Sequence, residues 1–176
     1  AFSGLSLADV APVPPALKEP TTGLTMGESA QKMAWENGIS REAQDRYAVE
    51  SQRKAADAWA SGKFAEEVMA VTVPPRFQKV AAADNNVRAD TTYEGVSQIK
   101  PAIEGGVIAA GNASQFSDGV SVQVVMSDKA AARKGLKPLG VFRGFAVAGC
   151  EPNEMGIGPV YAVPKLLQRA GLKVSD

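Results

Sequence analysis

Hydrophobic and polar positions divide the chain into a helical, loop-rich stretch and a stretch of strand and helix signals, with the change near residues 115–118. Residues 11–25, APVPPALKEPTTGLT, hold four prolines and neither a helical nor an alternating apolar period, so they predict an extended surface segment. From Met26 to Glu36 the pattern suits a short helix ended by a C-terminal glycine, Gly38. Ser40 then offers an N-cap and Glu42 sits in the electropositive first turn. An alanine-rich helix follows to about Ser61, where Gly62 stops it. Val68–Val73 favour a strand closed by Pro74 and Pro75, and residues 77–92 read as an irregular excursion. A short helix over about Thr92–Ile99 ends before Pro101. Residues 104–119, EGGVIAAGNASQFSDG, carry four glycines and small polar side chains, a backbone suited to close approach. Beyond it VSVQVVM (120–126) and PLGVFRGFAVAG (138–149) read as strands, and DKAAARKG (128–135) and PVYAVPKLLQRAG (159–171) as helices. Strand, helix, strand, helix is the order of an α/β sheet. No internal repeat or low-complexity tract interrupts it.

Composition narrows the chemistry. With 176 residues and 45% hydrophobic content the chain can bury a core of one domain or one and a half. Nineteen Lys and Arg balance nineteen Asp and Glu, so no net field steers it to nucleic acid or an acidic membrane, and an anionic ligand must be held locally. No apolar run approaches a membrane span. Residues 1–10 lack the basic start and apolar core of a signal peptide, and the absent initiator Met suggests a processed, tagged or excised chain. A single cysteine argues against a disulfide-stapled secreted domain and favours a reducing compartment. The chain has no histidine, which removes a Cys-His pair, a Ser-His-Asp triad and a His-rich metal site from it. Cys150 ends the apolar run AVAGCEP without a helix N-terminus or cationic partner, so it reads as a small packing residue. Glu28, Glu154 and Asp118 show no paired spacing for acid-base work, and Asp118 reads as a cap or tie for its loop.

Three segments stand out: MGESAQKMAWENGISREAQDRYAVESQRKA (26–55), AGNASQFSDG (110–119) and MGIGP (155–159). On residues alone the AGNASQFSDG loop lets an extended ligand lie against the backbone, with Ser114 offering a hydrogen bond; a tight turn whose glycines serve only geometry fits equally well. Together the segments resemble the thiolase family, whose stretches commonly run MGxTAE...ISREEQDxFAxxSQxKA, TAGNASxxxDGAA and MGxGP. TTYEGVSQIKPA (91–102) and GLKPLGVF (135–142) agree as well, and the order and spacing hold from Thr21 to Asp176.

The resemblance implies an α/β fold: a helical, loop-rich subdomain that binds coenzyme A, followed by part of a layered αβ core. Its partition would be a loop domain at 1–116, the end of the N-terminal catalytic half at 117–138, and the start of the C-terminal half at 139–176. It places the pantetheine arm of coenzyme A at Ala110, Ala113 and Ser114, the nucleotide at Arg88, the cofactor tunnel at Met26 and the acyl pocket at Met155. Without it, Arg88 is a solvated charge, Met26 is packing and Met155 is a turn residue. Gly95 stands where the family carries a serine near the nucleotide, which puts that contact in doubt. Thr25 in place of a histidine, and SDG in place of NDG at 117–119, lean toward the degradative branch acting in fatty-acid β-oxidation. Family chemistry needs a nucleophilic cysteine, an activating histidine and a second cysteine. By the family's order these fall outside residues 1–176, so the chain is expected to be an inactive internal segment of the enzyme. The alternatives are a stand-alone coenzyme A-binding or scaffold protein, and a nicked enzyme assembled from separate chains. The expected partners are coenzyme A and acyl-CoA as substrates, the remaining parts of the thiolase and a second copy in a homo-oligomer. No prosthetic group, metal, nucleic acid or membrane span is expected. The expected location is the cytoplasm of a bacterium, or a peroxisome or mitochondrion in a eukaryote.

Overall fold

The computed structural model describes residues 17–117 and 119–176, and the expectations for Asp118 and for residues 11–16 lie outside them. The chain forms two compact units, Ala34–Gln115 and Ala1–Met33 with Phe116–Asp176. Helix α1, Met26–Glu36, runs from one into the other.

In the Ala34–Gln115 unit α1 closes as the glycine predicts: Gly38 adopts φ 65° and the Ile39 amide reaches back to the Ala34 carbonyl at 2.8 Å. Helix α2, Arg41–Ala60, begins at Ser40, whose side chain accepts from the Ala43 amide at 3.1 Å. It ends at Gly62, φ 73°. Exposed ion pairs Glu42–Arg46 and Glu50–Arg53–Asp57, three or four residues apart, line its solvent side. The strand expected at Val68–Val73 shortens to β1, Val71–Val73. The stretch expected to be irregular contains its partner: β2, Lys79–Ala81, runs antiparallel with Val71 opposite Ala81 and Val73 opposite Lys79. Three residues are too few to show an alternating pattern, which is why β2 escaped the periodicity. Helix α3, Tyr93–Ser97, starts at Thr92, whose hydroxyl accepts from Gly95 N at 3.1 Å. The apolar core here is small: Ala34, Val96 and Ala109 are buried.

In the other unit, α1 starts in a reciprocal cap that the polarity pattern did not reveal. Glu28 Oε2 accepts from the Thr25 amide at 2.7 Å, and Thr25 Oγ1 accepts from Glu28 N at 3.2 Å. Helix α4, Asp128–Arg133, is capped by Ser127, and α5, Gly158–Ala170, ends at Gly171 with φ 66°. A 3-10 turn, Pro152–Ile157, leads into α5. The strands expected at 120–126 and 138–149 do not form: neither segment is paired with a strand among the described residues. β-propensity favours an extended backbone, but a strand exists only beside a hydrogen-bonded neighbour. Among the described residues no helix is long and apolar enough to cross a membrane.

Candidate functional site

The α2 sequence places Ala43, Tyr47 and Ser51 on successive turns, with Gln44, Ala48 and Gln52 beside them. This face and the loop Gly111–Ser114 enclose a groove of about 450 Å³ within the Ala34–Gln115 unit. The loop packs closely against the end of α3 because residue 111 has no side chain. A Cβ there would lie 2.8 Å from Val96 Cγ1 and 2.9 Å from Ile99 Cδ1. This glycine therefore serves packing against α3, the geometric alternative among the two readings of the loop.

A buried polar network fixes the loop to α2. Asp45 has no exposed surface, and both of its carboxylate oxygens accept from Arg41 Nε, at 2.8 and 2.7 Å. Arg41 Nη2 also donates to the carbonyls of Val96 and Ile99, at 3.0 and 2.9 Å, tying α2 to the end of α3. From the loop, Asn112 Nδ2 donates to Asp45 Oδ1 and to the Val107 carbonyl, both at 2.9 Å, while its Oδ1 accepts from Ala109 N at 2.8 Å. Sequence reasoning missed this trio. Its only local trace is the four-residue spacing of Arg41 and Asp45, since Asn112 lies far along the chain.

Of the residues named from the sequence, Ala113 and Ser114 line the groove. The Ser114 hydroxyl is exposed and makes one long contact, 3.4 Å to the Gln115 carbonyl. Ala110 is exposed just before Gly111 and does not line the groove. Arg88 connects to the groove through its backbone: Gln52, a lining residue, accepts from Arg88 N at 2.8 Å through Oε1 and donates to the Asn86 carbonyl at 3.3 Å through Nε2. Among the described residues no ion pair engages the exposed Arg88 guanidinium. Met26, at the start of α1, and Met155, in the 3-10 turn, are exposed and belong to the other unit.

No carboxylate, amine, thiol or imidazole lines the groove; its hydrogen-bonding side chains are the Tyr47 phenol, the hydroxyls of Ser51 and Ser114 and the amides of Gln44, Gln52 and Asn112. The perturbed carboxylates lie elsewhere. The Thr25 amide hydrogen bond holds Glu28 below its ordinary range, and the Arg53 hydrogen bond lowers Glu50 to about 2. Glu154 approaches Lys32 at 4.0 Å. Among the described residues no group of carboxylates, cysteine or histidine suits a metal ion.

A groove of neutral hydrogen-bonding groups is thus built on a helix and a small-residue loop of a mixed α and β protein. The family model for the thiolase N-terminal domain matches residues 7–129, and that for the C-terminal domain matches residues 136–176. A 3-ketoacyl-CoA thiolase of Salmonella typhi is 42% identical over 178 residues, covering 99% of this chain and 41% of that protein. Among solved structures, acetyl-CoA acetyltransferase of Bacillus anthracis superposes with a TM-score of 0.84 at 38% identity, covering 90% of this chain and 41% of that one. Human mitochondrial 3-ketoacyl-CoA thiolase in complex with CoA gives 0.77 at 30% identity, covering 90% and 40%. The chain belongs to the thiolase family and has its α/β fold. It spans about two fifths of the length of the curated relatives it matches.

Proposed function

We propose that this chain is a coenzyme A-binding segment of an acyl-CoA:acetyl-CoA C-acyltransferase that cleaves 3-ketoacyl-CoA thiolytically in fatty-acid β-oxidation. In this reading residues 1–116 are the loop domain, 117–138 close the N-terminal catalytic half and 139–176 open the C-terminal half. The groove takes the pantetheine arm, with Ser114 bonding one of its amides and Ala113 giving it room. Arg88 meets the nucleotide, where a guanidinium can stack on a base and pair with phosphate. Ala110 borders the arm, while Met26 and Met155 belong to the tunnel and acyl pocket. Cysteine and histidine chemistry comes from other parts of the enzyme, since this chain has no histidine and its one cysteine, Cys150, is a packing residue. The assembled enzyme is a homo-oligomer in the cytoplasm.

One observation carries this reading: Ser114 and Gln52 line the same groove, and Gln52 holds the backbone of Arg88, so residues 26 positions apart in the chain serve one surface. Titration calorimetry of the chain with coenzyme A tests it. Ser114→Ala should weaken binding by up to about ten-fold, as expected for one neutral hydrogen bond, and Arg88→Ala by about ten-fold or more for a charge-assisted one. Unchanged affinity in both variants would overturn the assignment.

A further inference from the structure

The loop that carries Ser114 is held by a side chain that has nothing left to donate to a ligand. Asn112 engages both protons of its amide, one on the Val107 carbonyl and one on Asp45 Oδ1, each at 2.9 Å. Its orientation is set by chemistry, because Ala109 N can only donate to it and the Asp45 carboxylate can only accept. One carboxamide thus clamps the loop on itself, at Val107 and Ala109, and to the wall of α2. The far end of the clamp is equally determined. Asp45 is fully buried, takes Arg41 on both oxygens, and Arg41 in turn holds the carbonyls of Val96 and Ile99. The result is a groove whose two walls are fixed to each other by Asn112 in its lining and by Asp45 and Arg41 behind it.

We propose that Asn112 and Asp45 are positioning residues for the Ser114 hydroxyl, a role that rests on the reading of the groove as the pantetheine site. Ser114 lies two positions beyond Asn112 and is itself exposed, with only its 3.4 Å contact to the Gln115 carbonyl. The backbone before it is also turned by the Asn112 and Ala113 amides, both donating to the Ala109 carbonyl at 3.0 Å. A loop already held in its binding shape avoids the ordering cost that a mobile loop meets on association. The residue types are specific to the task. A short carboxamide can donate to a carboxylate and to a carbonyl while accepting from a backbone amide, which asparagine does here. Aspartate at 112 would set two carboxylates against each other in a buried site, and alanine would leave Asp45 with Arg41 alone.

The experiment is a double-mutant cycle on the full chain, read as the Kd for coenzyme A by calorimetry, with Asn112→Ala, Ser114→Ala and the pair. Each single change should raise Kd by up to about ten-fold, and the pair should be no more than about two-fold weaker than Ser114→Ala alone, because Asn112 acts through that hydroxyl. Losses that multiply in the pair, or wild-type affinity in Asn112→Ala, would overturn the positioning role while leaving the groove assignment standing. Wild-type affinity in Ser114→Ala would overturn the positioning role, and wild-type affinity in Arg88→Ala as well would overturn the groove reading. A second variant separates positioning from folding. Asn112→Asp keeps the acceptor for the Ala109 amide and removes both donors, so a variant that retains the wild-type circular dichroism should bind coenzyme A more weakly; wild-type affinity in that folded variant would overturn the proposal.

Discussion

Removing the Asp45 carboxylate strands its partners, and the cost can be worked from the geometry. In Asp45→Ala, Arg41 loses both contacts to the carboxylate and Asn112 loses one acceptor. Breaking one partner out of a buried ion pair typically costs about 3–5 kcal/mol. Arg41 is 21% exposed and keeps the carbonyls of Val96 and Ile99, so the lower end applies, about 3 kcal/mol. The unmet Asn112 proton adds about 1 kcal/mol, less if water from the groove reaches it. Against a stability of about 5–15 kcal/mol for a domain, a loss near 4 would move the unfolding midpoint well down the urea axis. Circular dichroism of α1 and α2 during urea unfolding measures it. The discriminating comparison is Asp45→Asn, which removes the charge but keeps an oxygen that can accept from Arg41; it should cost less than Asp45→Ala. A loss below about 1 kcal/mol in Asp45→Ala, or a larger loss in Asp45→Asn than in Asp45→Ala, would refute the claim that this pair holds the groove wall.

The neighbouring glycine and the α1 cap give further expectations. Gly111→Ala forces a methyl group into contacts of 2.8 and 2.9 Å with Val96 and Ile99, which should cost about 1–3 kcal/mol in the same urea assay. Glu28 has a folded-state pKa depressed by the Thr25 amide, so the stability it contributes is present above its unfolded value of 4.5 and is lost as pH falls through the lower folded value. Wild type should therefore exceed Glu28→Gln in urea midpoint near neutral pH, with the gap closing on acidification. Glu50, lowered to about 2 by Arg53, should show the same sign over a window from 4.5 down to about 2, and being exposed its effect should shrink with added salt.

Features written over a few adjacent residues were legible in the sequence. Ser40, Gly38 and Gly62 bound their helices because a cap or a left-handed turn needs only its immediate neighbours. The Thr25–Glu28 cap is equally local, yet a mixed polar pattern around Met26 hid it. The Ser114 loop stood out through its small residues, whereas the reason it stays in place did not. Asp45 and Asn112 are 67 residues apart, and no periodicity joins them. Hydrogen-bonded ladders are non-local in the same sense: β2 was missed because its partner defines it, and 120–126 was expected as a strand because its residues favour one.

That last segment sets the two halves of the proposed function apart. Val120, Val122 and Val124 alternate on one face of an extended chain and Val125 falls on the other, and all are more than four-fifths exposed. Leu139, Val141, Phe145 and Val147, all exposed, fall on one face of such an extended chain, and Phe142, also exposed, falls on the other. Apolar side chains on both faces belong to a strand covered on both sides, with neighbours along its edges. Uncovered, such segments favour self-association, which on the proposed reading the rest of the enzyme prevents by completing their sheet. The groove makes no such demand. Its lining residues, its polar network and the Arg88 tether all lie within Ala34–Gln115, and Ser114 is the last lining residue before that unit ends. On the proposed reading, coenzyme A recognition rests on contacts made within Ala34–Gln115, whereas turnover rests on the sheet for which residues 120–149 are patterned.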